Sequence, residues 1–477
     1  MNTERKRISV YWVLPLLGVA FCLWYIKNAT CDVVYSDYIR LVNSYLPDVY
    51  NPDKFFVPDV LTRIPINYLC RILNVELLGF SVTLERVLGV AGLGLAGCVF
   101  GMYAKSRKVG AGWFALLMAV MFSLNKWEML TNGSGWSHFF AFACFYYHEL
   151  VLDRVWSKTE KRGDRVKLLT LPWLIILGTA GPYCAIYGVT MILTYGFCFL
   201  WDHQRKEDLG QGVSPAPWDT RYLVYMGCTL LPLILYIWSN SMAVEEHAGA
   251  TGRSLGVILS ENPTFPVRFL LKSFAGVLIG GEELKGWMEA GVLSNFLCYL
   301  IGLAVVGGYL LALWLNWYHR LYEKTLLPMM LLAGGGLNHL LIFLSRYLFE
   351  QEDYALSSRY SLQFQVGILG ILLTFALVWK LEGRGRKAVK GLMAGFCLAI
   401  LLGNGYTTYR ELEKAPSREA LFEEKAALAL EIPFMTEEEL NERKEELERI
   451  YEYRKGVDKI QKAFLILQEN HLNIFRK

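Results

Sequence analysis

The sequence predicts an all-α, polytopic membrane protein: a bundle of about eleven transmembrane helices with exoplasmic juxtamembrane helices and a small helical C-terminal tail. Three observations predict it. Of the 477 residues, 54% are hydrophobic and only 19% are charged, too apolar a mixture for a water-soluble chain of this length. Apolar runs of roughly 17 to 22 residues recur along most of the chain, the length that carries a helix across a hydrocarbon core. The short segments between them alternate in charge, with Lys and Arg concentrated in every second one, as cytoplasmic loops require.

The expected spans are 8–26, 80–104, 109–125, 134–156, 168–180, 183–201, 222–240, 293–315, 325–345, 362–380 and 389–405. The first follows Arg5-Lys6-Arg7 and starts like a secretory leader, but it is long and lacks a small-residue cleavage site, so it reads as a retained anchor. On one side of Gly181-Pro182, the 168–180 run is short and reads either as a full crossing or as a re-entrant segment. Segments 105–108, 157–167, 202–221, 316–324 and 382–391 hold most of the loop Lys and Arg and are expected inside with the N-terminus. The long polar segments, 27–79, 241–292, 346–361 and the tail, then fall outside. The expected location is the plasma membrane, multi-pass, with a cytoplasmic N-terminus and an exoplasmic tail.

Two units follow: residues 1–405, the membrane part with outer loops 27–79 and 241–292, and residues 406–477, the tail. In the tail, Ser417 is a candidate helix cap, Thr436 and Glu439 have capping-box spacing, and Met435 and Leu440 have the spacing of a hydrophobic staple. From Ala415 to Lys477 there are 11 basic and 14 acidic residues, so the chain's net +4 resides in the membrane part and its inner loops. That distribution needs no nucleic-acid partner. Eight of the ten cysteines fall in or at apolar helices, where Cys behaves as a small hydrophobe, while Cys31 and Cys70 stand outside and could pair. No CxxC, HExxH, P-loop or GxSxG pattern occurs, so those metal, nucleotide and acyl-transfer chemistries have no signal.

Chemistry-bearing residues gather in the outer segments. On a helix, "SDYIRLVNSYL" places Asp37, Arg40 and Ser44 on one face and Tyr38, Val42 and Tyr45 on another, which suits a helix resting in the bilayer surface. In "LTRIPINYLCRILN", Arg63, Asn67 and Arg71 face away from Leu61, Ile64, Tyr68 and Ile72, with Thr62 as cap and Pro65 in the first turn. Asp32 lies five residues before Asp37, and Asp48, Asp53 and Asp59 read as loop carboxylates. Late in the chain, "SSRYSLQFQ" sets Arg359-Tyr360 before a membrane helix, and Arg346-Tyr347 ends the preceding one. Arg268 and Lys272 lie in "TFPVRFLLKSF". His138 and His339 read as hydrogen-bonded structural residues, and Glu245, Glu246 and His247 as a solvated loop.

This arrangement resembles the GT-C superfamily of membrane glycosyltransferases, which includes bacterial aminoarabinose transferases and protein mannosyltransferases, and in particular uncharacterised bacterial GT-C-like proteins with a helical exoplasmic tail. The start of "SDYIRLVNSYL" is similar to the acidic helix start of their first outer loop, with Asp37 at the acidic position and Tyr38 where many relatives have a second carboxylate. Arg359-Tyr360 is similar to the Arg-Tyr near the outer end of a late helix in several GT-C groups. The resemblance implies an inverting transferase that moves a sugar from a polyprenyl-phosphate donor to a cell-surface glycan, lipid or polymer on the outer face. It implies a catalytic carboxylate at Asp37, with Asp32 as the alternate, because the acceptor hydroxyl must lose a proton as the new bond forms. It implies donor-phosphate binding by Arg359 with Tyr360, since a guanidinium matches phosphate oxygens in a fork; Lys272 and Arg268 are further phosphate candidates. Beside these roles stand plainer ones, a helix cap or solvated carboxylate for the aspartates and an interfacial, snorkelling side chain for Arg359. No resident cofactor or metal ligand is assigned; a divalent metal is conceivable in this superfamily, but no residue pattern supports one. The expected partners are membrane lipid, the polyprenyl-phosphate sugar, and a glycan or lipid acceptor. The rival readings are a flippase or exporter of lipid-linked saccharides, which intramembrane charge pairs would favour, and a noncatalytic membrane scaffold that holds a partner with its tail.

Overall fold

The computed structural model describes residues 2–46, 48–51, 64–179, 181–209, 218–241, 250–381 and 387–476. Asp53, Asp59, Leu61, Thr62, Arg63, Glu245, Glu246 and His247 lie outside the described residues. Every regular element among the described residues is helical, with no strand. Among the described residues, eight helices are long and apolar enough to cross a membrane, which makes the chain a multi-pass membrane protein in architecture. The other three expected spans are helical too, with features that set them apart. Ala111–Met121 has 11 residues and Asp164–Gly178 has 15, while Trp136–Trp156 carries Glu149, Asp153 and Arg154 among its 21.

At the centre stands Ser361–Val378, buried along nearly its whole length and packed against Leu327–Arg346, Asn295–Tyr318 and Ala111–Met121. Val82–Ser106 packs between Asn2–Ala29 and Trp136–Trp156. Small residues permit this approach: a Cβ on Gly92 would stand 2.7 Å from the Phe140 amide nitrogen, so only glycine lets the two backbones come so close. The helices Asp164–Gly178 and Cys184–Leu209 are separated by a 3-10 turn, Gly181–Tyr183, in which Gly181 has φ of +53°.

Polar contacts sort the loops onto two ends of the bundle. At one end the buried Asp153 accepts from Arg107 (2.5 Å), from the Thr325 hydroxyl (2.6 Å) and from the Leu326 amide (2.6 Å). Trp156 donates to the Tyr322 carbonyl at 2.7 Å, and Arg154 grips Asp164 through two 2.8 Å bonds. A carboxylate buried this deeply persists because several donors satisfy it at once. Three of the segments expected on the inner side therefore share an end. At the opposite end Asp32 meets Ser81, Tyr38 donates to Glu85, and Arg359 pairs with Glu128.

The tail does not stand apart from the bundle. Helix Lys387–Glu431 runs without a break through the expected 405/406 boundary, and its 45 residues span about 68 Å, roughly twice a hydrocarbon core. Ser417, expected as a cap, instead lies inside this helix after Pro416 and donates to the Lys414 carbonyl at 2.8 Å. Ion pairs of Glu411 with Lys414 (3.1 Å) and Arg418 (2.6 Å) bridge the same stretch. The capping box at Thr436 is present as the spacing predicts: Glu439 accepts the Thr436 amide at 2.7 Å, and the Thr436 hydroxyl accepts the Glu439 amide at 3.3 Å.

Two surface-helix expectations need correction. The apolar face of Asp37–Tyr45 is not open to lipid: Tyr38, Ile39, Leu41 and Val42 are buried in a second core shared with Leu447, Tyr451, Ile460 and Phe464 of the tail. Protein, not bilayer, removes those side chains from water, each contributing roughly 1.5–3 kcal/mol relative to exposure. In Pro65–Leu78 the polarity runs inward, because Asn67, Arg71 and Asn74 are buried while Leu69, Leu73 and Leu77 are exposed. Arg71 lies over the Tyr45 ring, 4.8 Å from its centroid, and Asn74 holds Ser81 through bonds of 2.8 and 2.9 Å. Cys31 and Cys70 are both free thiols, and the Cys31 sulfur sits 3.1 Å from the Phe422 carbonyl oxygen. His339 bonds Ser273 at 2.7 Å as expected, whereas the Nδ1 of His138 has no hydrogen-bond partner among the described residues and its ring packs edge-on against Tyr183.

Candidate active site

The chain reaches Asp37 through a strained residue. Ser36 has φ of +50°, a conformation unfavourable for a side chain, and its amide donates to the Tyr451 carbonyl at 2.8 Å, so the tail holds the turn that starts the helix. Next to it, the buried Tyr38 donates to Glu85 Oε2 at 2.7 Å and fixes the helix to the bundle. Asp37 itself remains one-third exposed, 4.0 Å from Arg40.

Arg359 arrives by a different route. The turn Glu352–Leu356 is anchored by Arg268, which bonds Glu352 at 3.1 Å, and by the buried Lys272, which pairs with Asp353 and lies 3.3 Å from Glu352. That turn presents Tyr354, and the next turn, Ser358–Tyr360, presents Arg359. Tyr360 points elsewhere: it is buried and accepts from Arg346 at 2.6 Å.

Asp37, Arg40, Tyr354 and Arg359 line one cavity of about 430 Å³, closed on its other side by tail residues Glu448 to Lys455. Among the described residues its lining holds five cations, Arg40, Arg359, Arg449, Arg454 and Lys455, against three carboxylates, Asp37, Glu448 and Glu452. The excess of positive charge suits an anionic ligand, and Asp37 lies close enough for its charge to act on Arg359.

Asp32 is placed differently. It accepts from the Ser81 hydroxyl (2.8 Å) and from the Val82 and Thr83 amides (2.7 and 3.2 Å), capping the first turn of Val82–Ser106 and not lining the cavity. Lys272 and Arg268 likewise stand outside the lining and act on the turn that carries Tyr354.

Behind Arg359 lies a chain of acids. Glu128 pairs with Arg359, and the Ser358 hydroxyl sits 3.1 Å from Glu128 and 2.8 Å from Glu282, which also accepts from Trp127 at 3.0 Å. Burial, then the nearby Glu128 charge, pushes the Glu282 carboxyl up to about 7. The single Ser358 proton is shared between Glu282 and Glu128, and protonation of Glu282 relieves the repulsion between the two carboxyl groups. Because the folded-state value lies above the unfolded one, the folded protein holds an extra proton between about pH 4.5 and 7, and stability falls as pH rises through that window. Glu282→Gln keeps the size of the neutral acid and an oxygen to accept hydrogen bonds, without the titration. It is expected to gain roughly 1–3 kcal/mol on wild type between pH 5 and pH 8 in thermal unfolding. Parallel pH profiles for the two proteins would refute this.

Glu128, Glu282 and Ser358 were not singled out from sequence, nor was the basic set of the tail. The run "YEYRKG", two cations directly after a capped helical segment, was the available signal for the latter. Compared with known proteins, the chain matches no family model, no curated protein and no solved structure.

Proposed function

We propose that the protein is a membrane glycosyltransferase of GT-C type that moves a sugar from a polyprenyl-phosphate donor to a glycan, lipid or polymer at the outer face. One observation carries the reading: Asp37 and Arg359, from opposite ends of the chain, line the same cationic cavity. In the reaction the acceptor hydroxyl gives its proton to Asp37 as its oxygen attacks the anomeric carbon. The bond from that carbon to the phosphate oxygen breaks, and polyprenyl phosphate departs with the electron pair, its charge met by Arg359 and the tail cations. Attack opposite the leaving group inverts the anomeric centre. Loop charge favours an inside N-terminus, which would put the cavity outside; a count of eleven crossings would give the tail the same side, and the eight that meet the length and composition of a span would not.

The test is mass spectrometry of surface glycans and polyprenyl-phosphate sugars from cells with and without the protein. Transfer predicts a missing surface sugar together with accumulated monosaccharide donor. An intact oligosaccharide trapped inside would indicate flipping instead, and unchanged profiles in both pools would reject both activities.

A further inference from the structure

A second polar centre lies within the bundle, away from the cavity at its end. Glu149 on Trp136–Trp156, Thr190 on Cys184–Leu209 and Asn338 on Leu327–Arg346 converge with Tyr146 on a small cavity that Gly334 also lines. These four side chains are at most 5% exposed. The atoms they carry there, Glu149 Oε2, Thr190 Oγ1, Asn338 Oδ1 and the Tyr146 hydroxyl, have no hydrogen-bond partner among the described residues. Tyr187 also lines the cavity, but its hydroxyl is engaged with His148 Nδ1 at 2.6 Å, and the second nitrogen of His148 faces Tyr195 at 3.3 Å. Among the described residues no Lys or Arg lines the cavity.

A carboxylate buried among helices without a cationic partner is costly, and orphaned buried oxygens add to that cost. Something must satisfy them. The cavity measures about 20 Å³, and a single water needs roughly 10–15 Å³, so the space takes one small occupant. The four orphaned atoms are all oxygens, and one bears a formal negative charge when ionised. Oxygen-only ligation with a single charge suits a small, hard monovalent cation better than a divalent ion, which gathers more carboxylates.

We propose that Glu149, Thr190, Asn338 and Tyr146 form a buried site for a sodium-sized monovalent cation. The ion ties three helices together by neutralising Glu149 and filling the coordination of the neutral oxygens. This site is independent of the transferase reading, because it concerns the fold's stability and shares no residue with the Asp37 cavity.

The experiment compares thermal unfolding of the purified full-length protein in detergent, in sodium chloride, potassium chloride and choline chloride at equal ionic strength. A ligand that binds only the folded state raises the midpoint by mass action, so sodium is expected to raise it saturably by about 2 °C or more over choline. Glu149→Gln removes the charge and Thr190→Val removes one oxygen while keeping the shape. Both are expected to abolish the sodium increment. Should Glu149→Gln fail to fold, Thr190→Val carries the test alone. Equal midpoints for wild type in sodium and choline, the result expected of a lone water or a protonated Glu149, would overturn the proposal. So would a full sodium increment in Thr190→Val.

Discussion

Asp37→Asn is expected to reduce sugar transfer by about 10²- to 10⁴-fold, the usual cost of removing a general base, while expression and membrane insertion stay near wild type. The amide keeps the size of the carboxylate but cannot take the acceptor's proton. Structural damage should be small, because Asp37 is one-third exposed and its near neighbour, Arg40, stands 4.0 Å away. Asp32→Asn is the informative comparison. Asp32 accepts from a hydroxyl and two amides at the start of Val82–Ser106, and asparagine keeps the oxygen that serves the two amides, so its substitution should lower stability by no more than about 0.5 kcal/mol and leave turnover per folded molecule intact. Transfer is read as the disappearance of polyprenyl-phosphate sugar in membranes prepared from cells lacking the wild-type protein. Wild-type turnover in Asp37→Asn would remove the carboxylate from the mechanism, and loss of turnover in Asp32→Asn alone would move the base to a position that the fold uses as a cap.

The helices were legible because their signal is local. Apolar length and charge alternation mark each span directly, and all eleven expected segments are helical. The three that fall short of a crossing by length and composition are those in which short extent or ionisable residues dilute the apolar signal, as Glu149, Asp153 and Arg154 do in Trp136–Trp156. Partnership between distant segments was not legible. The period of "DYIRLVNSY" shows an amphipathic helix whether lipid or protein covers it, and the tail core containing Phe464 and Tyr451 decides the matter. Arg71 reads as a surface cation until Tyr45 is placed beneath it. In the site, Asp37 and Arg359 were nominated by the resemblance of their short motifs to those of GT-C transferases. Glu128, Glu282 and Ser358 could not be, because their significance lies in the chain of contacts between three separate loops. Asp32 and Asp37 look alike in sequence. Only the exposed start of Val82–Ser106, which needs an acceptor, tells them apart.

Arg359→Lys separates phosphate binding from interfacial anchoring. Lysine keeps the positive charge and reaches the headgroup region equally well, so an arginine that merely snorkels tolerates the change almost silently. An arginine that grips phosphate does not, because the ammonium offers a point charge where the guanidinium offers a two-pronged fork. Arg359 also spends its Nε on Glu128, so the rest of the guanidinium is available to the cavity that it lines; a lysine must divide one ammonium between Glu128 and the donor. A charge-assisted hydrogen bond contributes about 1.5–3 kcal/mol, so losing one prong should lower transfer roughly tenfold or more at limiting donor. The effect should appear on donor titration and be slight on acceptor titration, since in the proposed reaction Asp37, not Arg359, meets the acceptor. Arg346→Lys is the control. Its guanidinium bonds Tyr360 at 2.6 Å and lies outside the cavity lining, so its substitution perturbs packing near the same turn without touching the donor. Equal and negligible effects at both positions would leave Arg359 as an anchor and would take the phosphate partner out of the proposed transferase site.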